Sequence, residues 1–404
     1  MKFFRAVLLV GATCASSGAA EDWFDRAADK LSFGAFQDTF RTRASSTLSL
    51  EGFNIAQPPP GMLFTNGHTL FSPRLSLFAD SQIGEHVSGF VQVRADRGFD
   101  PTNQNIRVRL DEYALRLTPW KDGRMNFQVG QFATVIGNWV ARHNARDNPF
   151  ITAPLPYELM TNIYDGKAPH SPLDFIDFQF DEKYEYNPIV WGPCYATGAA
   201  VSGRLNKFTY AFEVKNAGPG SRPPLWAISH LGFGRPAYSA RLGYQPDLSW
   251  KFGVSASDSA VYAPNATVSL PRGTNRHDFV NRLVAADAAY AWGRLQVWSE
   301  IFYSRYDVPR VGEAHTVAGY VETKYKLTPQ LYGAFRWNRQ VFSKINLGGN
   351  RTTPWTDAVW RIDASTGYRF TAHLDLKLQV STQHEATTHS GLPVNLAAQF
   401  NLRL

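Results

Sequence analysis

Apolar and polar residues alternate in many short runs along this chain, and the last run is among the most regular. In residues 394–404 the apolar positions are separated by polar Asn395, Gln399, Asn401 and Arg403. Successive side chains of a strand point to opposite faces, so this run predicts a strand with one apolar and one polar face. Residues 207–215 and 373–384 repeat the pattern. No long segment has a period of 3.6 residues, and the pattern therefore favours an all-β fold.

The alternating runs predict sixteen strands, within a range of 14 to 18. They are 44–52, 70–79, 87–95, 105–118, 124–135, 194–204, 207–215, 237–244, 250–258, 278–291, 295–306, 315–327, 331–342, 358–370, 373–384 and 394–404. Each strand is long enough to cross a bilayer when tilted, and an even count is typical of bacterial single-chain barrels.

The polar face carries Lys, Arg, Asp and Glu in strand after strand, and these charges cannot all pack into one dry core. A barrel whose apolar face meets lipid and whose polar face meets water satisfies every strand. Aromatic residues flank the short turns, as at a membrane–water boundary: Trp120, Tyr244, Trp250, Tyr290, Trp292, Tyr325, Tyr332 and Phe370. Longer loops at 53–69, 137–193, 216–236, 259–277 and 343–357 fall on the other side. The sequence predicts a transmembrane, antiparallel up-and-down β-barrel with short periplasmic turns and long external loops.

The N-terminus predicts a secretory signal peptide over residues 1–20, with basic Lys2 and Arg5, an apolar core and small residues at 17–20. Cys14 leaves a lipoprotein as an alternative, although Gly11 stands where the lipoprotein motif has Leu. Residues 21–43 are then a periplasmic segment, either a short amphipathic helix or a partial plug, and residues 44–404 are the barrel.

Charge and cysteine content argue against a nucleic-acid-binding protein and against a disulfide-rich one. Without Lys2 and Arg5 the formal charge falls from +7 to +5, and the basic residues form no block, so we expect no nucleic-acid partner. Cys194 is then the one remaining cysteine, which excludes a disulfide framework.

The layout from about residue 44 to Leu404 resembles that of the general Gram-negative porins. The resemblance rests on architecture, because the chain carries no signature of a subfamily and Leu404 stands where Phe is often found. It implies residence in the cell outer membrane, contact with its lipid, a possible homotrimer, and a third external loop that folds inward to narrow the pore.

The loop at 137–193 is the third external loop by count and by far the longest, and loops of this length are usually functional. Its first part carries Arg142 and Arg146. Its second part carries the acidic residues Asp174, Asp177, Asp181, Glu182 and Glu185. We predict a constriction loop; the alternatives are a cover over the barrel mouth and an extra hairpin within 173–190.

A basic wall is predicted opposite this loop. Strand alternation points five arginines into the lumen: Arg74, Arg94, Arg107, Arg109 and Arg116. The phase slips near Asp111–Glu112, which predicts a β-bulge. Neighbouring strands lie about 4.8 Å apart, so these arginines can form one patch that selects permeating ions by charge. The alternative is that Asp111, Glu112 and the loop acids pair with them.

These features predict a passive diffusion channel for small hydrophilic solutes with a preference for anions. The main alternative is a sugar-specific or polysaccharide-exporting channel of about eighteen strands that uses Trp298, Phe302 and Tyr306 as a lumenal surface. A structural or adhesive barrel is a further alternative. We expect no enzyme, cofactor or metal, because no Ser/His/Asp cluster has a recognisable context and the His384/His389 spacing does not suit a zinc helix.

Overall fold

The computed structural model describes residues 18–35, 39–56, 61, 63, 65, 67–97, 105–177, 180–230, 234–385 and 393–404. For residues 18–22, 28 and 180–182 it describes the backbone alone. The predicted signal peptide therefore lies, apart from its last three residues, outside the described part of the chain.

Strands dominate the structure. They are β1 (Ser32–Ala35), β2 (Phe40–Asn54), β3 (Thr69–Ile83), β4 (Val87–Asp96), β5 (Arg107–Leu117), β6 (Asn126–Phe132), β7 (Ala196–Leu205), β8 (Phe208–Lys215), β9 (Ala237–Tyr244), β10 (Trp250–Ala260), β11 (Val280–Trp292), β12 (Leu295–Val308), β13 (Gly312–Lys326), β14 (Leu331–Phe342), β15 (Lys344–Gly348), β16 (Arg351–Pro354), β17 (Val359–Arg369), β18 (Leu374–Glu385) and β19 (Val394–Arg403). In the described ranges three α-helices accompany them: α1 (Gly18–Lys30), α2 (Leu155–Glu158) and α3 (Pro172–Ile176). Among the described residues, none of the helices has the length and apolar character needed to span a membrane.

The main sheet closes into a barrel of antiparallel neighbours. It holds seventeen strands in the described ranges, and all but β1 form the ring, which leaves sixteen. Each strand pairs with the next along the ring, and β19 closes on β2 with Leu396 opposite Asn54 and Arg403 opposite Thr47. The predicted sixteen strands are confirmed, with shifts of a few residues at their ends.

Side chains sort by face as the alternation predicts. Leu75, Leu77 and Val254 are exposed on the outer surface, whereas Ser76 and Ser255, their neighbours in sequence, are buried on the lumenal side. The predicted bulge is also confirmed, since the register of β4 and β5 shifts so that Gln92 opposes Glu112 and Val93 opposes Leu110. Asp111 and Glu112 therefore lie side by side on the lumenal face.

The two ends of the barrel differ. One end, the short-turn rim, carries turns such as those between β7 and β8 and between β11 and β12, together with both ends of the strand series. Aromatic rings lie at this rim, including Trp292, which is 71% exposed, and the pair Trp250 and Tyr290, whose centroids are 4.4 Å apart. The other end, the long-loop rim, carries the longer connections, of which the one between β14 and β17 contains a β15–β16 hairpin where the sequence predicted a loop.

Strand β1 is an element that the sequence did not predict. It pairs with the first residues of β2, Ser32 opposite Arg43 and Ala35 opposite Phe40. Helix α1 precedes it and touches the short-turn rim, where Asp25 lies 2.9 Å from His373 Nε2 and Phe24 stacks on the same imidazole.

Candidate permeation pathway

The connection between β6 and β7, residues 133–195, enters the barrel; it is called the third loop below. Its lumenal half, residues 137–158, makes hydrogen bonds to inward side chains of β12, β13, β14, β17 and β18. Its outer half, residues 159–193, packs at the long-loop rim. The lumenal half therefore covers the inward faces of β12, β13, β14, β17 and β18, and its Ile151 also packs against Phe53 of β2 and Ala397 of β19.

Glu300 on β12 is the first anchor of the lumenal half. One carboxylate oxygen accepts hydrogen bonds from the backbone N–H groups of Asn138 and Trp139, the latter at 2.8 Å. The other oxygen accepts a 2.6 Å hydrogen bond from the Tyr157 hydroxyl. Glu300 is 3% exposed, and a buried donor that loses its acceptor is costly. One strand carboxylate thus holds two separate stretches of the loop.

Arg142, one of the predicted loop residues, points at the wall that the loop covers. Its guanidinium pairs with Glu322 on β13, donates to the Tyr320 hydroxyl at 3.2 Å, and lies 4.4 Å from the ring centroid of Trp298. Phe302, on the same strand as Trp298, packs edge-on against Tyr157 and is fully buried. Of the three predicted aromatics, Phe302 and Tyr306 are therefore buried, and Trp298 is half-buried beneath the Arg142 guanidinium.

A buried charge network fixes the end of the lumenal half. The Asp363 carboxylate accepts from Arg336 Nε at 2.8 Å and from Arg361 Nε at 3.2 Å. Arg361 also pairs with Glu158 of α2, and Arg336 donates to the Thr152 carbonyl at 3.1 Å. Removing one member of such a network typically costs 3–5 kcal/mol, roughly, because an unpaired buried charge remains. These buried contacts make the lumenal half of the third loop a fixed part of the lumen wall.

The outer half of the third loop binds neighbouring loops. Buried Asp165 accepts from Arg222 Nε at 2.6 Å, and Phe175 of α3 stacks on Trp355. Burial raises the pKa of Asp165, although Arg222 opposes that shift.

The acidic residues predicted for the constriction lie in this outer half. Asp174 is exposed and accepts from the His170 backbone at 2.7 Å, Asp177 is exposed, and Glu185 bonds Tyr164. The side chains of Asp181 and Glu182 lie outside the described residues. None of the three described acids contacts the arginine-bearing strands.

Three of the five predicted wall arginines form an ion-pair cluster on β2 to β5. Arg74 pairs with Glu51 at 3.0 Å, Arg94 with Asp111 at 3.0 Å, and Arg109 with both Asp111 and Asp96. The count is three arginines and three carboxylates, so the cluster has no net charge. The other two arginines are exposed: Arg107 on β5 at the long-loop rim, and Arg116 near the short-turn rim, where it donates to Gln128 at 2.7 Å.

The tip of the lumenal half faces this cluster. His143 hydrogen-bonds the Tyr195 hydroxyl at 2.7 Å, and Tyr195 in turn bonds Arg94. Burial lowers the pKa of His143 to about 4, and the nearby charges of Arg94 and Arg74 act in the same direction. Arg146 is exposed three residues further on. His143, a neutral imidazole at ordinary pH, thus lies beside the ion-pair cluster, whereas Arg146 lies among the cations near the short-turn rim.

Charge is distributed unequally between the two ends of the barrel. The four residues of each barrel strand nearest the short-turn rim include eleven cations: Arg41, Arg43, Arg116, Arg204, Arg241, Lys251, Lys324, Lys326, Arg369, Lys377 and Arg403. The same windows hold two acids, Asp80 and Asp375, which gives 11 − 2 = +9. The corresponding windows at the long-loop rim hold eight Lys or Arg and seven Asp or Glu, which gives 8 − 7 = +1. By strand alternation all thirteen charges at the short-turn rim lie on the lumenal face.

Comparison with known proteins supports the fold. No protein-family model and no curated protein sequence matches the chain. Among solved structures, it is similar to the outer-membrane channel DcaP of Acinetobacter baumannii, with a TM-score of 0.58, 11% identity, and 92% of this chain and 99% of that one covered. An anion-selective porin from Comamonas acidovorans gives 0.54 at 6% identity over 90% and 99%. The outer-membrane protein OmpT of Vibrio cholerae, in its trimer form, gives 0.55 at 8% identity over 90% and 99%. This chain has the porin fold.

The porin-like barrel also contains site residues that the sequence did not single out. Glu300, Glu322, Arg336, Arg361 and Asp363 anchor the third loop, and each stands on the polar side of an alternating strand. Their positions predict a lumenal side chain, but the loop that covers them is distant in sequence. Among the described residues, the porin-like barrel has no group of three His, Cys, Asp or Glu side chains placed to bind a metal, and His389 lies outside them.

Proposed function

We propose that this outer-membrane porin-like barrel is a passive diffusion channel for small hydrophilic solutes and that it prefers anions. The observation that carries the anion preference is the charge of the short-turn rim, +9 against +1 at the opposite rim. The predicted arginine wall has a smaller part in this proposal, because Arg74, Arg94 and Arg109 are paired with acids.

The electric field of the charged short-turn rim acts on permeating ions over a distance that depends on the salt concentration. Charges on a low-dielectric wall focus their field into the water of the lumen and raise the local concentration of counter-ions. The Debye length is about 10 Å at 0.1 M salt, so the rim acts on the whole cross-section of a narrow channel only in dilute solution. Anion preference should therefore weaken as salt concentration rises.

The constriction separates solutes by size and by charge distribution. The lumenal half of the third loop is fixed by buried anchors on five strands, which supports a passage of constant width. Arg146 and Asp147 are exposed side by side at its tip, and a pair of opposite charges at a constriction orients dipolar solutes.

The test is the reversal potential of the purified protein in planar bilayers under a dilute potassium chloride gradient. Stepwise conductance with chloride preferred is expected. A charge about 8 Å from the ion path contributes roughly 0.5 kcal/mol in water before screening. The double variant Arg43→Gln/Lys251→Gln should therefore lower the chloride-to-potassium permeability ratio a few-fold.

The matched control removes two cations from outside the lumen. Lys344→Gln/Arg351→Gln alters the exposed ends of the β15–β16 hairpin in a loop at the long-loop rim, and it should leave the ratio unchanged. Silent insertion would refute the channel. A cation-preferring wild type, or equal effects of the two double variants, would refute the role of the rim.

We also propose assembly into a trimer through the outer face of β2 to β4. Near the short-turn rim this face carries small side chains, Ala44, Ser46, Ala79 and Ser81, where other strands carry exposed aromatics such as Trp292. The hydroxyls of Thr42 and Ser81 satisfy each other at 2.9 Å. Small residues let two backbones approach closely in a membrane, and the OmpT neighbour has a trimer form.

A further inference from the structure

We propose that a pocket at the short-turn end of the lumen binds small, multiply charged anions such as inorganic phosphate. This inference builds on the proposed channel function. The pocket, called the basic pocket, lies among β13, β14, β17, β18, β19 and the tip of the third loop. Its charged lining residues are Arg146, Lys324, Lys326, Arg369, Asp375, Lys377 and Arg403.

The basic pocket has room for such an anion. It encloses about 90 Å³, whereas a single buried water needs roughly 10–15 Å³ by the same measure. Thr328 and Gln330 add polar groups to the lining, and Tyr332 adds a ring. The space therefore accommodates one tetrahedral oxyanion or several waters.

Two of the six cations are already engaged. Arg403 pairs with Asp375, and Lys377 donates to the backbone carbonyls of Ala145 and Asn148, the latter at 2.7 Å. These contacts fix the floor of the basic pocket and tie it to the loop tip. The Nε–H of Arg403 remains buried without a hydrogen-bond partner among the described residues. A buried donor without an acceptor is costly, and a phosphate oxygen would satisfy it.

The other four cations have no ion-pair partner in the described part of the chain. Lys324 lies over the Tyr332 ring, with its ammonium 4.4 Å from the centroid, and Arg146, Lys326 and Arg369 are exposed. The charges of Lys326 and Arg369 act on Lys324, and those of Arg146 and Arg369 act on Arg403. The acids that act on these cations from beyond the lining are Asp147, Glu51 and Glu322, and the last two pair with arginines elsewhere.

The charge count explains why the ligand should be multivalent. In formal charges, six Lys and Arg side chains against Asp375 and Asp147 give 6 − 2 = +4. Like charges held this close repel one another, and an anion that contacts several of them at once relieves more repulsion than chloride does. Guanidinium groups also bind phosphate oxygens in pairs. The basic pocket is thus a binding site, distinct from the diffuse field of the rim.

The experiment measures chloride current through single channels while inorganic phosphate is added on the side of the short turns. Phosphate should interrupt the wild-type current in resolved blocks. Lys324→Gln/Arg369→Gln should raise the half-blocking concentration at least tenfold, because two charged contacts are lost. Arg43→Gln/Lys251→Gln removes the same charge from other walls of the same rim and should change it less than threefold.

Further measurements separate failure of the basic pocket from failure of the channel. The charge-conserving Lys324→Arg/Arg369→Lys should keep the block, and calorimetric titration of phosphate into detergent-solubilised protein gives the same comparison without conductance. An anion-preferring channel that phosphate does not interrupt, or equal losses in the two Gln variants, would overturn the basic pocket. Phosphate binding that only Lys324→Gln/Arg369→Gln abolishes, in a channel without anion preference, would overturn the proposed function and uphold the basic pocket.

Discussion

Replacing Glu300 by Ala should release the lumenal half of the third loop from the barrel wall. The substitution removes the acceptor of the Asn138 and Trp139 backbone N–H groups and of the Tyr157 hydroxyl. A donor left buried without its acceptor costs roughly 1–3 kcal/mol. The contributions of three hydrogen bonds to one carboxylate do not simply add, and water replaces part of the lost hydrogen bonding. We therefore expect the free energy of loop docking to weaken by about 3–5 kcal/mol.

The assay is single-channel recording. A loop that leaves the wall alters the free cross-section, so the current of Glu300→Ala should fluctuate between levels, whereas the wild-type current should stay at one level. Asp307→Ala is the matched control, because Asp307 stands on the same strand but pairs with Arg305 and should leave the current steady. A steady, wild-type conductance in Glu300→Ala would refute the assignment of Glu300 as an anchor.

Two further predictions concern pH and assembly. With the loop docked, the pKa of His143 is about 4, below the ordinary value near 6.5 that we expect for the undocked loop. The undocked loop therefore binds more protons between these two pH values, and docking should weaken by up to about 3 kcal/mol as pH falls from 6.5 to 4. Current fluctuations should increase more over that range in the wild type than in His143→Gln, in which buried acids such as Asp165 still titrate, and equal behaviour would contradict the prediction. Ala79→Trp should convert a trimer to monomers in analytical ultracentrifugation, whereas Val254→Trp, on a strand outside the proposed interface, should not; an unchanged mass for Ala79→Trp would exclude this interface.

The fold was largely predictable because a strand in a membrane barrel repeats one physical requirement. Every second residue meets lipid, so a run such as 373–384 predicts both a strand and which of its side chains point to the lipid or to the lumen. The bulge at Asp111 was also visible, because an extra residue breaks the alternation. Strand β1 was missed because four residues are too few to establish a period, and β15 and β16 were missed for the same reason.

The candidate site was less predictable because it depends on contacts between distant residues. Alternation gives the direction of Arg94, but it does not say that Asp111 lies 3.0 Å away. Likewise, nothing local to Arg142 indicates Glu322, which is 180 positions away. The charge of the short-turn rim could have been predicted from the sequence, because the calculation needs only the strand ends and a count of Lys, Arg, Asp and Glu.

Strand β1 has a consequence for how the barrel seals. Its preceding residue, Leu31, accepts a hydrogen bond from Ala44, and the terminal residue Leu404 exchanges two hydrogen bonds with Ser46. Strand β1, the first strand of the described residues, and Leu404 therefore lie end to end along the same edge of β2. The register of β19 against β2 can shift only by an even number of residues, because an odd shift would turn the lipid-facing side chains inward. A shift of two residues toward the short-turn rim would place Leu404 opposite Ala44, which already bonds to Leu31. The hairpin of β1 and β2 joins residues close in sequence and forms at small entropic cost, so it serves as a stop that sets the alignment of a strand synthesised some 350 residues later.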